Sequence, residues 1–458
     1  MRRKITSSLL LLALFLSSCT PAQSAAKMEV ISHPDGPLYV GDQVSFEVLT
    51  PAGEQTKSQS IQIKFNEQTL GSANFGPYGI GNREQATFWW VWDTRNLKPG
   101  RYILTFTSQP DGYTWNETFS LHPANQVPSP EPGAHWALAT TICCEIHYIT
   151  GTTAERDLAS LEQTADEQAV AVSKQLGASL KTRVTLTFMP RLIGHGGFTW
   201  GGVGVYVSYL DGNPIGNDMP IVLHHEFVHF YDAALGGDYF PSIFQEGLAV
   251  YLSGGHFKPE PLGPRAAALL DLGWYIPLTT LANDFYNQQH DIGYLEAGSL
   301  IKYLVETYGW GAFNEFYRTI PNPDGKDNAA VIDGALRASF GVSFADLEAA
   351  YLANLRSQPV TDDIRTDLRL TVGFFNAVRH YLATLDPSAY FLTAWLPDGS
   401  IMQQRGIVAD FLRHPNGWRN QLEESLLSRT QQELFSGDYG AAERDLKQTN
   451  WVSDVIAP

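Results

Sequence analysis

The stretch IVLHHEFVHFYDAALGG occupies residues 221–237. Within it His225 and His229 stand four positions apart, and Glu226 directly follows the first. On an α-helix, positions i and i+4 lie on one face, one above the other, so both imidazoles can present ring nitrogens to a single ion. Glu226 projects beside that point, where a carboxylate can take a proton from water. The local signals favour a helix. Asn217 or Asp218 can cap its start, Pro220 is tolerated in the first turn, and Gly236 and Gly237 can end it. Ile221, Val222, Phe227 and Val228 supply its apolar faces. His224 points about 100° away from His225 and reads as a packing or supporting residue. Composition alone produces such a pattern in roughly one chain in a hundred of this length. A buried helix with two hydrogen-bonded histidines would look the same, so a third donor has to decide.

The next segment, DYFPSIFQEGLAVYLSGG (238–255), supplies one. Pro241 suits a first helical position, and Gly254 and Gly255 form a stop. Glu246 lies 17 positions after His229, enough for a turn and a second helix to bring its carboxylate back to the histidines. Gly247 and Ala249 beside it are small and permit close helix approach. A carboxylate in the otherwise apolar run IFQEGLAVYL needs a partner if buried, and a metal ion is the obvious candidate.

HEFVH followed by QEGLAVYL resembles the gluzincin zinc metallopeptidases, more closely their peptidase-MA-like branch, over about residues 140–356. The similarity extends to GGVGVYVSYLDGN, to YLEAGSLIKYLVETYGWGAF (294–313) and to FGVSFADLEAAYLANL (340–355). It implies an α+β zincin-like, thermolysin-type catalytic domain. One Zn2+ ion would be held by His225, His229 and Glu246, with Glu226 as general base and acid on a peptide or protein substrate. Thermolysin-like members place an Asp four positions after the ligand Glu to orient a histidine. Val250 stands there, leaving Asp232 as a substitute or as a surface helix residue. The family also implies a sheet edge that pairs with substrate backbone, here within Val203 to Tyr209, unless this is an ordinary sheet strand. It further implies a Tyr or His that steadies the oxyanion. Tyr294 is the first choice, set against a purely structural role, with His290, His256 and Glu296 behind it. No GxMEN-like segment of the aminopeptidase relatives is present, which leans the expectation toward an endopeptidase.

The N-terminus sets the compartment. Arg2, Arg3 and Lys4 precede the short apolar run SLLLLALFL (8–16), which ends in LSSC. This resembles a bacterial lipoprotein signal, with residues 1–18 removed, Cys19 lipidated and 19–27 a tether. The expectation is an extracytoplasmic protein anchored to a bacterial membrane. Without residues 1–18 the balance is 28 basic against 48 acidic side chains, which argues against a nucleic-acid partner. Beyond Cys19 only the adjacent Cys143 and Cys144 remain. Packed thiols in a strand are favoured over a vicinal disulfide, and a four-thiolate metal site has no support.

The chain therefore reads as multidomain, with 44% hydrophobic residues for its cores. QVSFEVL (43–49), SIQIKF (60–65), ATFWWVW (86–92) and RYILTFT (101–107) alternate, which predicts a β-sandwich over 28–122. WDTRNLKPGRYILTFT resembles the late strands of bacterial immunoglobulin-like domains. A Pro-rich linker at 123–135 leads to the metallopeptidase-like domain at 136–358. It opens with strands and one helix (155–177), and helices follow at 242–253, 262–273, 293–308, 311–318 and 344–356. A C-terminal α-helical region takes 359–458, where LFSGDYGAAERDL (434–446) resembles one helix pair of a tetratricopeptide-type array. A non-catalytic binding or scaffold lipoprotein on a zincin fold is the competing expectation.

Overall fold

The computed structural model describes residues 28–50, 59–78, 83–179, 181–191, 196–200, 204–209, 218–325, 327–386, 388 and 399–456. The signal-like segment, Cys19, the tether, Asn217 and Val203 lie outside them.

Eight strands open the chain: β1 Glu29–His33, β2 Leu38–Tyr39, β3 Gln43–Leu49, β4 Ser60–Phe65, β5 Gln68–Tyr78, β6 Arg83–Asp93, β7 Gly100–Gln109 and β8 Thr114–His122. The inward set of the sequence alternation forms their core, with Val44, Phe46, Ile61, Ile63, Phe88, Trp92, Leu104 and Phe106 in one buried cluster. The sequence pattern predicts two stacked sheets. Two layers do share this core, and β5 joins them: it pairs with β4 through Gln68–Asn74 and with β6 through Phe75–Tyr78, giving one curled sheet in the order β1-β3-β6-β5-β4-β7-β8-β2. Alternation reports which face of a strand is buried, not which neighbours it takes.

The second sheet has the order β12-β13-β11-β10-β9, built from β9 Trp136–Thr140, β10 Cys144–Ile149, β11 Val184–Met189, β12 Gly197–Trp200 and β13 Gly204–Ser208. β10, β11 and β13 are mutually parallel, and the two outer pairs are antiparallel. Helices α1 Thr153–Arg156 and α2 Leu158–Leu176 connect β10 to β11. Every residue of β13 is buried, as an inner strand requires. This corrects the expectation of a sheet edge within Val203 to Tyr209: the edge is β12. A second correction concerns Cys143 and Cys144, which form a vicinal disulfide. They sit at the turn into β10, where Asp166 accepts from the Cys143 amide (2.9 Å) and Thr141 from the Cys144 amide (3.1 Å).

The chain then becomes helical: α3 Met219–Leu235, α4 Ser242–Ser253, α5 Leu262–Leu272, α6 Leu278–Asp284, α7 His290–Tyr308, α8 Trp310–Arg318, α9 Asn328–Phe340, α10 Phe344–Arg356 and α11 Asp362–Thr384. One core joins this bundle to the second sheet, with Leu186, Phe188 and Val207 from strands packed with Phe227, Phe244 and Leu300 from helices. Further helices span Gly399–Arg405, Ala409–Leu412, Trp418–Ser436 and Tyr439–Ile456. The last two are separated by Gly437 in the left-handed region (φ 76°), the turn read in LFSGDYG. No described helix is long and apolar enough to cross a membrane.

Candidate metal centre

Helix α3 carries the HEFVH motif in its interior, and His225 and Glu226 are both buried. Its start is capped without a side chain: Asp218 stands at the N-cap position, and its amide donates to Phe257 O (3.3 Å). Gly236, at φ 79°, ends it. The five residues to Pro241 reverse the chain, Pro241 takes the cap position and α4 begins at Ser242.

This return brings three donor atoms together. His225 Nε2 lies 3.2 Å from His229 Nε2, and Glu246 Oε2 lies 3.3 Å and 3.2 Å from them. Donors placed 2.0–2.1 Å from a tetrahedral ion lie about 3.3 Å from one another. The three atoms therefore span one face of such a tetrahedron, and two imidazoles with one carboxylate are a donor set that suits zinc. The Nδ1 atoms of both histidines are buried and have no hydrogen-bond partner among the described residues. The charges are strongly coupled. Burial pushes His229 down, but the Glu246 carboxylate, with help from Glu226 and Asp232, raises it to about 9. Burial acts against the Glu246 charge too, yet His229 and His225 hold its carboxyl well below the usual range. The pocket thus favours positive charge beside the carboxylate, which a divalent cation supplies.

Glu226 is held by the sheet edge. Thr199 of β12 donates to Glu226 Oε2 at 2.5 Å. Gly197, two residues earlier, packs so tightly that a Cβ there would lie 2.7 Å from Glu226 Oε1 and 2.8 Å from Val222 Cγ1. The Gly-rich segment before α3 thus contributes a direct support for the carboxylate.

The other anticipated residues divide. Tyr294 reaches the centre on α7, with its ring 6.1 Å from that of His225 and stacked on His256 (4.4 Å) and His290 (4.1 Å). Burial, then the Glu246 charge, push its hydroxyl well above its ordinary value. His256 and His290 belong to this ring stack, and burial pushes His256 down to about 3, so it is neutral. Glu296 faces elsewhere: fully buried, it accepts from the Ile276 amide (2.9 Å). His224 binds Gln168 (2.8 Å) and Gln175 (2.7 Å) of α2 and ties the two helices together. Asp232 is neither exposed nor bonded to a ligand histidine. It is buried and pairs with Arg318 (2.7 Å) and Tyr317 (2.7 Å), because α8 packs over the end of α3.

Sequence reading missed Tyr286. Its hydroxyl donates to Glu246 Oε1 at 2.7 Å from the short 3-10 turn Phe285–Asn287. Burial of the hydroxyl, then the Glu246 charge, raise its pKa. A lone tyrosine 40 positions from its partner, outside any periodic segment, carries no sequence signal. Two open cavities, of ≈ 550 and ≈ 880 Å³, lie around Ile142, Asp166 and Arg183, and none of the cluster residues lines them.

No protein-family model matches the chain, and no curated protein matches it. Among solved structures, the chain has a slight similarity to an aminopeptidase N family protein from Idiomarina loihiensis. The two share 10% sequence identity over 72% of this chain and 77% of that one, with a TM-score of 0.30.

Proposed function

We propose that this chain is a membrane-anchored, extracytoplasmic zinc-dependent peptidase acting on a peptide or protein substrate. The observation that carries the reading is the triangle of His225, His229 and Glu246 donor atoms, 3.2–3.3 Å on each side, with Glu226 held beside it by Thr199. His225, His229 and Glu246 would hold a zinc ion, which would supply Lewis acidity and lower the pKa of a water beside it toward neutrality.

The side chains do the rest. Glu226 accepts the proton of the attacking water and passes it to the leaving amine. Thr199 fixes the carboxylate beforehand, so orientation is not sought during turnover. Tyr294 stands near enough to the ligand face to steady negative charge on the carbonyl oxygen. The outer side of β12, an edge strand running past Glu226, offers backbone groups to an extended substrate.

The test is a metal assay beside a hydrolysis assay on a broad peptide library. Glu226→Gln should retain stoichiometric zinc and lose about 10²–10⁴-fold in kcat. His229→Ala should lose both. Unchanged hydrolysis by the Glu226 variant would exclude this mechanism. Stoichiometric zinc in an intact protein without turnover would favour the scaffold reading. The anchor rests on Arg2 to Cys19 and is tested separately: Cys19→Ser should release the protein into the soluble fraction. A wild-type chain that washes off membranes in salt alone would rule the anchor out.

A further inference from the structure

The two oxygens of Glu246 have different partners. Oε2 faces both histidine Nε2 atoms, at 3.2 Å and 3.3 Å. Oε1 points away from them and accepts the Tyr286 hydroxyl at 2.7 Å. Tyr286 thus reaches the helix that carries Glu246 from outside it.

The turn that carries Tyr286 is itself braced. Phe285 is buried, packed 5.1 Å from the Tyr294 ring, whereas Tyr286 as a residue is 63% exposed, its ring edge-on to Phe285 at 5.3 Å. Asp284 accepts from Asn287 and Gln288 and closes the turn on its other side. The ring is therefore a lever, pivoted at the surface, whose polar tip reaches a buried carboxylate.

We infer that Tyr286 is a positioning residue that makes Glu246 a one-oxygen ligand. This rests on the metal reading above. A carboxylate with two free oxygens can take two positions on an ion, and the second would be the one left for water. A hydroxyl at 2.7 Å on Oε1 occupies that oxygen and fixes the rotation of the carboxylate, so that Oε2 is the oxygen that would face an ion. Tyr286 does not touch the reacting atoms; it acts through Glu246.

The test uses the full chain with the conservative change Tyr286→Phe, which keeps the exposed ring and removes only its hydroxyl. Zinc affinity of the metal-free protein, measured by chelator competition, should fall about 10–100-fold. The cobalt-substituted variant should show weaker visible absorption than cobalt-substituted wild type, the signature of a fifth donor. A role confined to packing would move neither, and the metal-free variant should unfold within a few degrees of the wild-type temperature, since one hydrogen bond is lost. Affinity within about twofold of wild type, with an unchanged cobalt spectrum, would overturn the assignment. A wild-type protein that binds no zinc would bring down the metal reading and this inference together, a result distinct from tight binding by both.

Discussion

At the scale of single residues, the centre depends on contacts that sequence patterns announce unequally. His225, His229 and Glu246 are readable because helix geometry and a buried carboxylate leave few alternatives. Gly197 is not, since its requirement comes from a neighbour in space. A Cβ added there meets Glu226 Oε1 at 2.7 Å, and Val222 Cγ1 at 2.8 Å blocks the retreat. Gly197→Ala should therefore swing the Glu226 carboxylate off Thr199 while leaving the three donors in place. The expected result is full zinc content, a kcat reduced by about 10²-fold and a stability loss of about 1–3 kcal/mol. Zinc analysis, steady-state kinetics and urea unfolding of the one variant would separate these effects, and full activity would show that the β12 contact does not place the base.

Among elements, helices with glycine stops are readable and the contacts between them are not. The expected helices at 242–253, 262–273 and 344–356 closely match α4, α5 and α10, because Gly254 and Gly273 end the first two and Ser343 with Asp346 forms a capping box before the third. Helix α6, with seven residues, is too short to show a period, and Asp333 and Gly334 interrupt that of α9. Gly247 signals close approach in the sequence but not its partner, which is α7: a Cβ would lie 2.6 Å from Ala297 O. Because that neighbour is backbone, Gly247→Ala should push α4 from α7, cost about 1–3 kcal/mol or more, and weaken zinc binding through the adjacent Glu246. Gly334→Ala is the control. Nothing lies within 4 Å of its Cβ position, so helix propensity alone should stabilise that variant by about 1 kcal/mol. Equal effects of the two substitutions in thermal unfolding would refute the close-contact argument.

Across the whole molecule, the curled sheet, the second sheet and the C-terminal helices meet in a joint that no local pattern could reveal, since its partners lie hundreds of positions apart. Trp90 of β6 enters an apolar cluster with Ile149, Tyr206, Met402 and Phe411, and its Nε1 donates to Asp410 Oδ2 at 3.1 Å. Arg413 pairs beside it with Asp42 (2.7 Å), just before β3, and with Glu131 (2.6 Å) of the segment between the two sheets. Asp410 is fully enclosed, and Oδ1 has no hydrogen-bond partner among the described residues. Burial raises its pKa to about 6, against the lowering effects of His33, the Trp90 bond and Arg413 and with a further rise from Asp42. A carboxyl raised on folding binds its proton more tightly in the folded chain, so its contribution to stability is complete below the unfolded value, near 3.8, and is lost as pH rises through about 6. A rise from 3.8 to about 6 corresponds to about 3 kcal/mol. Asp410→Asn removes this titration but keeps an acceptor for Trp90. The stability of Asp410→Asn relative to wild type should therefore shift in the variant's favour by up to about 3 kcal/mol between pH 4 and pH 7, measured by urea unfolding at each pH. A difference that stays constant across that window would mean that Asp410 is not held protonated in the joint.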